Sequence, residues 1–432
     1  MKLKKVLALL TVTMAMAMTI GMIGCAGQTA DGGEAGKETP DMAEMDNQET
    51  EKTGEITELK FYEHADNEKL AQELVDAYNA QSDGVKVSLS IIANDDYDDK
   101  MKVLLSGGSG VDCFWVRGGS EMRQLANNGA LYALDNLIEA NNMDTSVYGN
   151  IEESFTTNEK TYGLCSSKSC WLLWYNKDLF DASGLDYPIN LTWEEYTDLA
   201  ASLKTDELWG GVVPTWTMNL GASSAGEYLT DEKLEKTRRY ADYMEKWYVT
   251  DHSHPSVEEM TGSFALSSFF AQGKTYMMLN GDWAFQTFPD YNPQFTWCAA
   301  PLPVFEDVES GTTVGSAACF SIAANSKHPE EAFDFIKFCC YSEEGAKIFA
   351  ENSAVPAYSS EAAIELYKQN VTAPGVEYVF SSNVGLEKGL DNNYDELNTA
   401  FNEEITSALV GNFSMDEGFE NFKRRREEIL SR

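Results

Sequence analysis

"ITELKFYEHADNEKLAQELVDAYNAQSDGVKVSLSII" (Ile56–Ile92) begins an alternation of strand and helix that continues along the chain without an internal sequence repeat. "ITELKFYEH" reads as a strand, and "DNEKLAQELVDAYNAQ" sets Leu70, Leu74 and Tyr78 on one face of a helix. "VKVSLSII" is extended again. Downstream, "YDDKMKVLLSGGSG" is a helix closed by glycines and "VDCFWV" a strand. "TWEEYTDLAASLK" opens on the capping box Thr192/Glu195, and "GVVPTW", "KTYMMLN" and "FTWCAAPLP" are strands. Pro329 suits the first turn of the helix containing "EEAFDFIKFCCY". In the tail, Leu397, Phe401, Ile405 and Leu409 recur every four residues, and Ser414/Glu417 forms a second box. Strands and helices in this alternation predict an α/β architecture with mostly parallel sheets, and 432 residues are enough for two cores.

The first 24 residues have a basic start (Lys2, Lys4, Lys5), an apolar stretch and small residues before Cys25, the layout of an export signal. "MIGC" resembles a bacterial lipobox, with Met22 in place of the usual leucine, so Cys25 is expected to carry the lipid and become the mature N-terminus. Residues 25–55 are polar, acidic and nearly free of large apolar groups, which predicts an extended tether. The net charge of −38 argues against nucleic acid or an anionic membrane surface as a partner, because both would repel it. Seven further cysteines are an odd number scattered through apolar runs, so they read as small hydrophobes, and an exported chain with reduced thiols suggests an anoxic habitat.

Catalytic and metal signatures are scarce. His252 and His254 in "DHSHP" lack zinc-ligand spacing and read as a surface loop. "SGGSG" (Ser106–Gly110) lacks the lysine of a phosphate loop and reads as a helix end. "DNNYDELNTAFNE" (Asp391–Glu403) has Glu396 where a calcium loop needs glycine. No cofactor and no metal is expected. Aromatic residues instead recur at strand ends beside polar groups: Glu63-His64, Trp115 to Arg117, Trp171 and Trp174, Trp216, and Asp282-Trp283. Ligands of open α/β sheets bind outside the carboxyl ends of strands, and sugars need an aromatic face together with polar partners. "LNGDWAF" leaves catalysis, binding and a turn open when read by itself.

Four blocks together resemble the extracellular solute-binding proteins of ABC importers, in the sugar-binding group related to maltose-binding protein. They are "YGLCSSKSCWLLWYNKDLFDASGL" with "LTWEEYTDLAASLK", "GKTYMMLNGDWAF", "VGSAACFSIAANSKHPEEAFDFIKFCCYSEEGAKIFAENSAVPAYSS" and "LLSGGSGVDCFWV". The resemblance implies a two-lobed, type II periplasmic-binding-protein-like fold with hinge strands between the lobes. One lobe would span 56–165 plus 320–355, the other 166–319 plus 356–432. It also implies a monomer, not an enzyme, that closes on a mono- or oligosaccharide and delivers it to ABC permease subunits. The lipobox would hold it at the outer face of a Gram-positive type cell membrane.

Carried over residue by residue, Trp283 would stack on a sugar ring while Asp282 accepts hydroxyl hydrogen bonds, and Trp216 would be a second platform. Glu63, His64, Asp66, Trp115 and Arg117 would face them from loops of the other lobe, with Ser169 near the hinge and Tyr394 adding an aromatic. Asn280-Gly281 would be the turn that presents Trp283. Two other readings stay open: a polyamine caged by Glu63, Asp66 and Asp282, and an exported glycoside hydrolase.

Overall fold

The structure, a computed structural model, describes residues 56–432 apart from 109, 261–264 and 359. The export signal, Cys25 and the acidic segment to residue 55 lie outside the described residues. The chain lays down β1 (Thr57–His64), β2 (Val85–Ile92), β3 (Cys113–Val116), a small hairpin of β4 (Thr156–Thr157) and β5 (Lys160–Thr161), and β6 (Gly163–Lys168). It then crosses to β7 (Trp171–Asn176), β8 (Trp209–Val212), β9 (Thr275–Gly281) and β10 (Trp297–Pro301). β11 (Thr312–Gly315), β12 (Ala317–Ile322) and β13 (Asn383–Leu386) complete the set.

Two main sheets result, ordered β2-β1-β3-β12-β6 and β10-β7-β9-β8. They define two lobes within one compact unit, Gly54–Arg432. Contrary to the expectation of mostly parallel sheets, both are mixed: β12 runs antiparallel to β3 and β6, and β7 antiparallel to β9 and β10. The cause is the crossing between lobes, since a strand that returns from the other lobe enters its sheet head to tail. The change of sheet falls at Ser169 and Ser316, because β6 continues to Lys168 and β12 begins at Ala317.

Three segments cross side by side. The Ser169 N–H donates to Ser316 O at 2.8 Å, Lys168 N–H to Val355 O at 3.0 Å, and Ala357 N–H to Ser166 O at 3.1 Å. The packing has no slack: a Cβ on Gly315 would lie 1.8 Å from the Ser169 carbonyl oxygen. Local signals set the helices around this frame. Thr192 and Glu195 form the reciprocal capping box, Gly184 ends its helix at φ 69°, and Pro329 opens Pro329–Cys340. Ser414 accepts from the Glu417 N–H as an N-cap.

Alternation along β7 divides the second lobe's core. Trp171, Leu173 and Tyr175 enter one cluster with Trp193 and the C-terminal helices, whereas Leu172 and Trp174 enter another with Phe270 and Tyr367. Burial of each such large side chain stabilises the fold by about 1.5–3 kcal/mol. The seven cysteines at 113, 165, 170, 298, 319, 339 and 340 are all buried and hold no disulfide. His254 is no surface residue: it is buried, stacks on Trp247 at 5.1 Å, and lies 2.9 Å from the Tyr196 hydroxyl. Loss of water lowers its pKa to about 3, so it sits neutral in the core.

Candidate functional site

The first lobe's contribution begins with the pleat of β1. Leu59 and Phe61 point into the core, and Glu63 is the next inward position, so its carboxyl follows them inside. Burial pushes the Glu63 pKa up to about 8, opposed by the His64 N–H and the Asn67 amide, which both donate to it. His64, buried beside it, is lowered to about 3 by loss of water and by the Arg117 charge. Their side chains approach to 3.5 Å, yet burial holds both neutral at pH 7, so the contact is not an ion pair. Glu63, His64 and Trp115 therefore lie within strands, not in the loops that follow them.

Trp115 is covered rather than open. The His64 ring lies 4.3 Å from it, and the Arg117 guanidinium lies 5.0 Å from its centroid. Arg117 is held in turn by Asp98 at 3.3 Å and Asn94 at 3.1 Å. Tyr97 donates its hydroxyl to the carbonyls of Trp115 (2.8 Å) and Tyr62 (3.2 Å), tying the ends of β1 and β3 together. Asn94, Asp98 and Tyr97 carry no motif that singles them out, although "NDDYDD" directly after β2 stands where ligands of such sheets bind. Asp66 is exposed, and its charge reaches Tyr291 of the second lobe.

The second lobe presents a chain of tryptophans. Trp283 meets Trp171 edge to face at 5.1 Å, and Trp216 lies 6.3 Å from Trp171 with its ring tilted by 40°. Trp216 is 43% exposed, an unusual state for so large an apolar ring. Asn398 and Asn402 of the helix Tyr394–Leu409 fix its position by donating to the Trp216 carbonyl oxygen. Trp171 is buried, and its indole N–H is directed at the Glu387 carboxyl, which it hydrogen-bonds. The family resemblance does not assign Trp171 to the site, but the structure brings it into contact with both Trp216 and Trp283. "WLLW" spaces its tryptophans three apart, so in a strand they face opposite ways, and only Trp171 joins this group.

The "LNGDW" stretch differs from the expected turn. Asn280 and Gly281 complete β9, and the turn is Asp282-Trp283, ahead of the short helix Ala284–Thr287. The Trp283 indole rolls back over Gly281, where a Cβ would lie 2.0 Å from the ring. That glycine is the seat of the tryptophan.

Asp282 continues the opposite face, after Met278 and Asn280. There it is fully buried near Cys170 and Tyr367, its backbone N–H donating to Cys170 O at 2.9 Å. Burial raises it to about 8, and both its Oδ2 and the Tyr367 hydroxyl lack partners. Asp282 and Trp283 thus point to different sides of the sheet, and the pairing of the two on one sugar is corrected.

Two further expected residues are otherwise engaged. Tyr394 is buried in the core, with its hydroxyl accepting from Asn219 at 3.0 Å, so it offers no ring to a solute. The Ser169 hydroxyl bonds Ser316 and belongs to the hinge. Among the described residues no group of three side chains could hold a metal ion.

Residues 63–347 match the family of bacterial extracellular solute-binding proteins. The chain belongs to that family. Among solved structures, it is similar to an ABC substrate-binding protein from Listeria monocytogenes in complex with cycloalternan. The two are 24% identical with a TM-score of 0.79, over 87% of this chain and 100% of that one. A sugar transporter from Rhizobium etli in an open conformation gives 0.71 at 23% identity, over 86% and 99%. A multiple sugar-binding protein of Streptococcus mutans is 27% identical over 210 residues, 43% of this chain and 48% of that protein. The fold is accordingly the two-lobed type II form of extracellular solute-binding proteins. Family members bind solutes, and no reaction is assigned to the site.

Proposed function

We propose that this solute-binding protein captures a neutral mono- or oligosaccharide by lobe closure and presents it to an ABC permease. A lipid on Cys25 holds it at the outer face of the membrane of a Gram-positive type cell. One observation carries the reading. The second lobe presents the exposed Trp216 and the seated Trp283, both in contact with Trp171, and the first lobe presents Glu63 and His64 in neutral form. Aromatic faces suit the C–H faces of sugars, and neutral polar groups suit their hydroxyls. A ligand that touches both lobes favours the closed state and shifts the population toward it. The sugars bound by the similar proteins support the same class.

The polyamine reading loses its support here. Two of its three carboxylates, Glu63 and Asp282, are held protonated by burial, and Asp282 faces away from the tryptophans. A thermal-shift screen over oligosaccharides and polyamines, at low and high salt, tests the proposal. A hit at 100 times its Kd stabilises by about 2.7 kcal/mol, with little salt dependence for a sugar. Stabilisation by polyamines alone, fading with salt, overturns it. Cys25→Ser should release the protein from membranes to the medium.

A further inference from the structure

We propose that Asp395 is the latch that holds the two lobes together at one edge of the cleft, independently of solute contacts. It stands in the first turn of the helix Tyr394–Leu409 in the second lobe. Its carboxylate accepts from two side chains of the first lobe, Ser120 Oγ at 3.2 Å and Gln124 Nε2 at 3.0 Å. Both donors lie on the helix Gly119–Asn127, whose Met122 and Leu125 are part of the first lobe's core. The third partner, Lys388 Nζ at 3.0 Å, comes from Asp395's own lobe just after β13, and its charge is also felt by Glu121 across the gap.

Two helices here bring their N-terminal ends together. Each end carries a partial positive charge and unsatisfied N–H groups, so bare ends would repel. A carboxylate between them reverses the sign of that contact, and hydrogen bonds to an ionised acceptor are about twice as strong as neutral ones. A serine or asparagine at 395 would supply an acceptor without the charge. The side chain is 27% exposed, shielded enough for its bonds to outlast the screening that weakens open surface pairs. Elsewhere the Asp66 charge of the first lobe also acts on Tyr291 of the second, a longer-range influence than the direct hydrogen bonds at Asp395.

Only the closed fraction binds tightly, so apparent affinity scales with that fraction, and a latch tunes capture without touching the solute. This rests on the closure reading above, and the test is arranged to separate the two. Single-pair fluorescence energy transfer is measured on the full chain without solute. Dyes are carried on Asp99→Cys and Lys233→Cys, positions 94% and 80% exposed on opposite lobes, while the described native thiols are buried.

Asp395→Ala is expected to lower the closed-to-open ratio about ten-fold, within the usual range of such couplings. Gln124→Ala lowers it less, and the double variant goes no lower than Asp395→Ala alone. A ratio within two-fold of the parent in a folded Asp395→Ala protein, or strictly additive effects in the pair, overturns the latch. If the ratio falls but no sugar stabilises the protein, the latch stands and the carbohydrate reading fails.

Discussion

The two lobes meet the cleft with opposite strategies. The first lobe's polar groups are largely engaged with one another: Asn67 with His64 and Glu63, Arg117 with Asp98 and Asn94, and Trp115 between His64 and Arg117. The second lobe's aromatic groups are more open, with Trp216 exposed and Trp283 poised on a glycine. The first surface is preorganised and rigid, and the second holds the unmet binding capacity. In such a division, affinity should depend chiefly on the tryptophans and selectivity on the polar wall.

The largest expected effect is on the tryptophan side. Trp283→Ala should cost about 2 kcal/mol or more of binding, about thirty-fold in Kd by titration calorimetry, as aromatic hot spots do. An unchanged Kd would move the platform elsewhere and dissolve the contrast. Gly281→Ala should follow closely, about ten-fold weaker, because its Cβ displaces the indole; the protein should still fold, since the clash is with a movable side chain. A loss of folding instead would mean that the glycine serves β9 and not Trp283.

Next comes Asp282→Asn, which should leave sugar affinity within about two-fold, because the carboxyl lies on the other face. Its effect is on stability. The folded state keeps the Asp282 proton up to about pH 8, whereas an aspartate in water loses it near pH 3.8. Stability contributed by the neutral form is therefore full below pH 3.8, falls steadily as pH rises above that value, and is lost once pH has passed through 8. Each ten-fold difference in proton affinity between the folded and unfolded chain corresponds to about 1.4 kcal/mol, so the asparagine variant should melt increasingly higher than the parent as pH rises from 3.8 to about 8, with the gap constant beyond. If it melts lower at every pH, the aspartate is needed as a charge.

The smallest effect is expected for Glu63→Gln at pH 7, where both forms are neutral: about two-fold in affinity, with the variant's stability flatter between pH 4.5 and 8. A loss of about ten-fold or more would show that the first lobe supplies more than a wall.

The sequence displayed much of this architecture because periodicity and caps are local. Leu70, Leu74 and Tyr78 line a buried helix face, and Thr192/Glu195 close the expected capping box. The clustering of tryptophans near the site was also legible at strand ends. The face on which each residue stands was not. Asp282 and Trp283 are neighbours in sequence, and their separation depends on where β9 ends and on how the indole rolls back, both tertiary outcomes. Tyr394 sits where a helix begins, but only the packing of Asn219 and Tyr228 shows that its ring points inward. Sheet direction was hidden because the crossings at Ser169 and Ser316 reverse strands that sequence order alone makes look parallel.

The buried cysteines alter the ecological inference drawn from their number. Loss of water raises the pKa of Cys113, Cys170, Cys298, Cys319, Cys339 and Cys340, so their sulfurs remain protonated at neutral pH. A protonated thiol out of reach of solvent neither attacks a disulfide nor meets an oxidant. Survival of these residues outside the cell therefore does not require oxygen-free surroundings. Folding thus shields these thiols from disulfide exchange, and the unfolded chain is the state in which they are open to it.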